Sequence, residues 1–156
     1  MMAPAAPDVR RFADLDALSR AAADDLAAIA RAAVAARGVC HLALSGGSTP
    51  RRLFELLVQR GAAALPWPQL ALWWGDERTV PPDHADSNYR MAREALIDPA
   101  AGFGLAAAQV HRIAGEHADP AAAAAGTASS AVIRWTCAGP RPNAAAGSIS
   151  ASRAIR

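Results

Sequence analysis

Apolar and polar positions come in blocks along the chain, and the blocks predict helices and strands in turn. Within residues 14–37, Leu15, Leu18, Ala22, Leu26, Ile29 and Ala33 recur at the spacing of a helix with one apolar side, and Gly38 closes the run. Residues 39–44 are almost continuously apolar, as in a strand buried in a parallel sheet. Residues 50–60 read as a helix closed by Gly61, 70–74 as a strand, 87–97 as a helix and 110–113 as a short strand. Residues 9–12 can form a short strand ahead of the first helix, and a further helix begins at Pro120. Strands that alternate with helices predict an α/β fold with a mostly parallel sheet.

Two polar blocks interrupt this pattern, and each directly follows a strand. The first is Ser45-Gly46-Gly47-Ser48-Thr49, ahead of Pro50. Gly46 and Gly47 can take positive φ and let backbone approach a ligand, Ser48 or Thr49 can cap the following helix, and Pro50 fits its first turn. Free N–H groups backed by a helix dipole form an anion site, with phosphate as the natural guest. The same residues also suit a capped strand-to-helix connection that holds no ligand. The second block is Asp76-Glu77-Arg78, followed by a Pro81-Pro82 loop and by Asp86-Ser87-Asn88 at the start of the next helix. Ligands of open α/β sheets sit beyond the carboxyl ends of the strands, so both blocks are expected at that edge.

The chain has 156 residues, 53% of them hydrophobic, which is enough for one domain with a core. A net charge of +2 gives no reason to expect nucleic acid or an anionic membrane as a partner, and no apolar run is long enough to span a bilayer. All 16 basic residues are Arg. With the heavy use of Ala, this points to GC-rich coding rather than to function. Cys40 and Cys137 do not make a disulfide framework, and no signal peptide is evident, so the cytoplasm is expected. The four histidines show no metal-ligand spacing, and the Gly46-Gly47 turn is not a dinucleotide fingerprint.

Three segments together resemble 6-phosphogluconolactonase: residues 44–50 (Leu-Ser-Gly-Gly-Ser-Thr-Pro), residues 74–81 (Trp-Gly-Asp-Glu-Arg-Thr-Val-Pro) and residues 86–89 (Asp-Ser-Asn-Tyr). A weaker match runs through Val110-His111-Arg112-Ile113, Gly115-Glu116 and Asp119-Pro120. The resemblance covers roughly residues 8–126, in the family's order. It implies a Rossmann-like sheet with helices on both faces, incomplete at the C-terminus. It also implies hydrolysis of a phosphorylated sugar lactone by a monomer, without metal or organic cofactor. Ser45, Gly46, Gly47, Ser48 and Thr49 would hold the substrate phosphate. Arg78 would contact phosphate or the developing oxyanion, and Asp76 would orient a base or a substrate hydroxyl. Asp76 and Arg78 can instead be a structural ion pair, while Glu77 points to solvent or to a cap. Related deaminases of amino sugar phosphates usually have Tyr after Asp-Glu, so Arg78 favours the lactonase. A sugar-phosphate-binding remnant without activity is a third reading.

The family's general base is a His in a Gly-Asp-Gly-His-Thr-Ala-like segment, which does not occur here. His41, His84, His111 and His117 do not match that position. Trp73 and Trp74 are expected in packing rather than as a sugar platform. Residues 127–156 contain no Asp, Glu or Leu but carry four Arg, a charge of +4, against −2 for residues 1–126. Such a composition does not build a core. Residues 1–126 are therefore expected to be the lactonase-like part, and 127–156 a disordered or frame-shifted tail that leaves the chain weakly active or inactive.

Overall fold

A computed structural model describes residues 9–117. The helix expected at Pro120 and the segment 127–156 lie outside these. Helix α1 (Leu15–Arg37) leads into strand β1 (Cys40–Leu44), helix α2 (Ser48–Gln59) and strand β2 (Leu70–Trp74). Helix α3 (Asn88–Ala92) follows, continued by a wider π-type turn over Arg93–Ile97, and strand β3 (Val110–His111) ends the described order. The sheet is parallel with β2 in the middle. This is the α/β, Rossmann-like arrangement the pattern and the resemblance predict. Residues 9–12 are not a strand, since no neighbouring strand pairs with them; Val9 is 72% exposed.

Register decides what faces the core. Leu44 lies beside Trp74, and Leu72 beside Val110. Alternation then sends Cys40, Leu44, Leu70, Leu72 and Trp74 into one hydrophobic cluster with Phe54 and Leu57 of α2, Met91 and Ala92 of α3, and Ala23, Ala27, Ala30 and Ala33 of α1. The opposite face carries a row of rings. Trp73 stacks on His111 at 4.0 Å between centroids, and its Nε1 donates to Nδ1 of His41 at 3.1 Å. Both tryptophans are thus packing residues, as expected: each is only 6% exposed.

Helix α1 is seated differently from the sequence expectation. Its buried side is Ser19, Ala23, Ala27, Ala30 and Ala33, whereas Leu15, Leu18 and Ile29 are exposed. Small side chains let two helices and a sheet come close together, so packing distance overrides the bulkier stripe. Asp14 caps α1 by accepting from Ala17 N at 2.7 Å, and the Gly38 N–H closes it on the Val34 carbonyl. Asp16 pairs with Arg20 and Arg52, and Asp24 with Arg60, across the α1–α2 surface. Exposed pairs of this kind contribute little each. Among the described residues no helix is long and apolar enough to cross a membrane.

Candidate active site at the carboxyl edge of the sheet

The parallel pairing of Leu44 with Trp74 makes β1 and β2 end side by side. The polar turns that follow therefore leave the same edge of the sheet, and the Gly75 N–H donates to the Leu44 carbonyl at 3.0 Å, tying their roots together. Ser45, Gly47, Ser48 and Thr49 are exposed there, as are Asp76 and Arg78. The seven residues singled out from the sequence are thus carried to one edge on two neighbouring strands.

The start of α2 differs from the expectation in one respect. Neither Ser48 nor Thr49 caps the helix. Gly47 is the N-cap, at φ 104° and ψ 173°, and no side chain bonds to the first turn. Positive φ at Gly47 turns the chain into the helix one residue early, which places Ser48 and Thr49 inside it. The first N–H groups of α2 are left without a side-chain partner, and Pro50 has none to offer. An end of this kind, with the helix dipole behind it, is suited to an anion. Gly46 does not take positive φ. It is needed for close approach instead, because a Cβ there would fall 1.8 Å from Oδ1 of Asn88.

The second turn is built around Glu77, which the sequence placed toward solvent or a cap. It is a cap, and a long-range one. Its Oε1 accepts from the N–H of Arg78 and of Asn88, both at 2.7 Å. Its Oε2 accepts from Tyr89 N at 2.8 Å and from Ser87 Oγ at 3.3 Å. Ser87 Oγ in turn accepts from Arg90 N at 3.1 Å. The opening N–H groups of α3 are thereby satisfied. Asn88, 5% exposed, donates from Nδ2 to the backbone carbonyl and to Oδ2 of Asp76, both at 3.3 Å.

Asp76 and Arg78 make no ion pair with each other, and among the described residues neither appears in any salt bridge. Arg78 is an exposed cation on the turn that follows β2. The chain after β3 closes the edge: Gly115 lies so near the Arg78 carbonyl that a Cβ would sit 2.1 Å from it. Arg112 lies over the Tyr89 ring at 5.6 Å and grips Glu116 with two bonds of 2.9 and 2.5 Å. That grip holds the Glu116 carboxyl down at about 2.

His41 lies opposite Ala71 and His111 opposite Trp73, both on the ring-bearing face, where Trp73 touches each of them. His84 is exposed in the loop after Pro82, where its Nδ1 accepts from Asp86 N at 3.2 Å, and His117 is exposed. A shallow depression on the helix side, lined by Asp24, Arg31 and Arg60 among others, has its cations engaged by Asp24 and by the Ala63 carbonyl and is not a rival site. Sequence reasoning assigned Asn88 no role beyond the start of a helix and did not show that Glu77 caps that same helix start. Eleven positions separate them, and no local capping pattern spans that distance.

Known proteins resemble this chain in both sequence and fold. The 6-phosphogluconolactonase of Synechocystis sp. is 46% identical over 88 residues, which is 56% of this chain and 34% of that protein. The crystal structure of a 6-phosphogluconolactonase from Shewanella baltica superposes with a TM-score of 0.65 at 32% identity, covering 76% of this chain and 48% of that one. A monomeric glucosamine-6-phosphate deaminase superposes with a TM-score of 0.63 at 16% identity, over 75% of this chain and 46% of that one, and shares the fold. The chain spans about a third of the curated relative and about half of the solved ones. The sequence profile described as "Glucosamine-6-phosphate isomerases/6-phosphogluconolactonase" matches residues 13–143, most of the length, and the chain belongs to that family.

Proposed function

We propose that this chain carries the phosphate-binding part of a site that hydrolyses 6-phosphoglucono-1,5-lactone to 6-phosphogluconate, a step of the pentose phosphate pathway, in the cytoplasm and as a monomer. The observation that supports this reading is the β1–β2 register, from which the turn that opens α2 and the turn that carries Arg78 leave the same edge of the sheet. In this site the N–H groups of residues 45–49 receive the 6-phosphate, which supplies binding energy and orientation. Arg78 faces the charge that develops on the C1 oxygen when water attacks, or the phosphate itself. Asp76 orients a substrate hydroxyl or a base. None of the histidines stands in the family's base segment, because the sequence has no Gly-Asp-Gly-His run. Residues 1–156 alone should therefore bind better than they turn over, since a missing general base costs about 10²- to 10⁴-fold.

The deaminase alternative has less support, because Arg78 stands where those enzymes usually have Tyr and the likeness to the deaminase is one of fold. A binding remnant without activity is the remaining alternative. Three measurements on the purified chain separate the readings: lactone hydrolysis above the spontaneous rate, ammonia release from glucosamine 6-phosphate, and calorimetric binding of 6-phosphogluconate. Binding with weak hydrolysis and no ammonia supports the lactonase site. Binding without any hydrolysis favours the remnant, ammonia release favours the deaminase, and failure to bind 6-phosphogluconate sinks the phosphate assignment.

A further inference from the structure

Glu77 and Asn88 do more than start a helix. Each oxygen of the Glu77 carboxylate accepts from two donors, Oε1 from its own turn and from α3, Oε2 from α3 and from its N-cap Ser87. The carboxylate thus bolts α3 to the turn that carries Asp76 and Arg78. Asn88 is the first residue behind the bolt. Its side chain lies between the two polar turns: the amide nitrogen on Asp76, the amide oxygen against Gly46. Its contact with Gly46 is so close that no other residue fits at position 46 while Asn88 stays. The gap between the phosphate turn and the Asp76 carboxylate is therefore filled by one side chain, itself fixed by Glu77.

We propose that Glu77 and Asn88 are positioning residues of the active site. Asn88 sets the spacing and orientation of the Asp76 carboxylate relative to the Gly46-Gly47 turn, and Glu77 holds Asn88 in place. The proposal rests on the sugar-phosphate reading of this edge. A ligand that touches only the phosphate turn should ignore the device, and a ligand that reaches both turns should depend on it. Asn88 bonds to Asp76 and Glu77 of the β2 turn; Arg78 belongs to that same turn, Asp86 and Arg90 flank Asn88 along the chain, Arg112 lies over the neighbouring Tyr89 ring, and residues 45–49 contribute no charge. Replacing the amide by a carboxylate of the same shape would put two like charges together. One of the two would then bind a proton more readily than usual, and the proton would restore the lost donor.

The test uses chain 1–156 and the variants N88A, N88D and E77Q, titrated calorimetrically with inorganic phosphate and with 6-phosphogluconate. The wild-type chain should bind both. In N88A, phosphate affinity should stay within about twofold, while 6-phosphogluconate binding should weaken about tenfold, the cost of a lost and unreplaced polar contact. In N88D the same loss at pH 8 should recover by about threefold or more toward pH 5.5 relative to wild type, because the shared proton returns the donor. A merely structural role would not yield that pH profile. E77Q should behave as N88A if it folds, and N88A and N88D decide the matter if it does not. If N88A and N88D bind 6-phosphogluconate like wild type, or weaken phosphate equally, the positioning role is wrong while the site reading stands. If the wild-type chain binds neither ligand, the site reading fails and the positioning role falls with it.

Discussion

At the scale of the residue, the site is notable for what its charges do not touch. Arg78 has no carboxylate partner among the described residues, so its removal costs the fold nothing identifiable. Arg78→Ala should weaken 6-phosphogluconate binding by about ten- to a hundredfold, the usual worth of a charge-assisted bond, with an unchanged melting temperature. Calorimetry and a thermal melt on the same sample check both halves. A drop in melting temperature with unchanged binding would make Arg78 structural. The sequence made Arg78, Asp76 and the Gly46-Gly47 turn legible because each is a local signal, a charge or a glycine directly after an apolar strand. Glu77 and Asn88 were not legible as a pair. Their bonds join a turn to a helix across a proline loop, and only the packed chain defines that distance.

At the scale of the element, period and punctuation located the three strands and the helices between them to within a residue or two, but they misjudged which side of α1 is buried. A helix that lies against another helix and a sheet is chosen for small side chains, whereas an apolar count favours large ones. Ala30 is fully buried in that contact. Ala30→Leu should accordingly destabilise the fold by about 1–3 kcal/mol, the usual cost of overpacking, seen as a lower urea midpoint. A Leu placed at exposed Ile29, Ile29→Leu, should leave the midpoint where it is.

The segment after β3 gives a second expectation at this scale. The Glu116 carboxyl sits at about 2 through its bonds to Arg112, below the ordinary 4.5. A depressed carboxyl contributes stability that is present above the unfolded value and lost as pH falls through the folded one. The Arg112–Glu116 clasp should therefore hold at neutral pH and weaken between pH 4.5 and 2. Hydrogen exchange at residues 112–117 should quicken across that window in the wild-type chain. Glu116→Gln should show fast exchange there at every pH. Salt should blunt the difference, because the pair is part-exposed.

At the scale of the whole molecule, the strands among the described residues and their helices form one layered core, and the two polar turns are rooted in β1 and β2. Leu72 lies at the centre of that core with no exposed surface. Leu72→Ala should cost about 2–5 kcal/mol and loosen both turns together, since neither has a scaffold of its own. A urea midpoint and phosphate titration of the same variant would show whether fold and binding fall in step. The family's match continues to residue 143, past the described part of the molecule.

The bare start of α2 has a consequence for how the protein behaves in a buffer. A helix end that no side chain closes is suited to an anion from solution, and on the proposed phosphate reading part of this fold's stability would be set by solute rather than sequence. Inorganic phosphate should raise the melting temperature along a saturating curve, and at about a hundred times its dissociation constant it should add about 2.7 kcal/mol. The general salting effect of phosphate rises without saturation and is separable on that ground. Two preparations of the same polypeptide, one in phosphate and one in an anion-poor buffer, would then differ in thermal endurance as though they differed by a mutation.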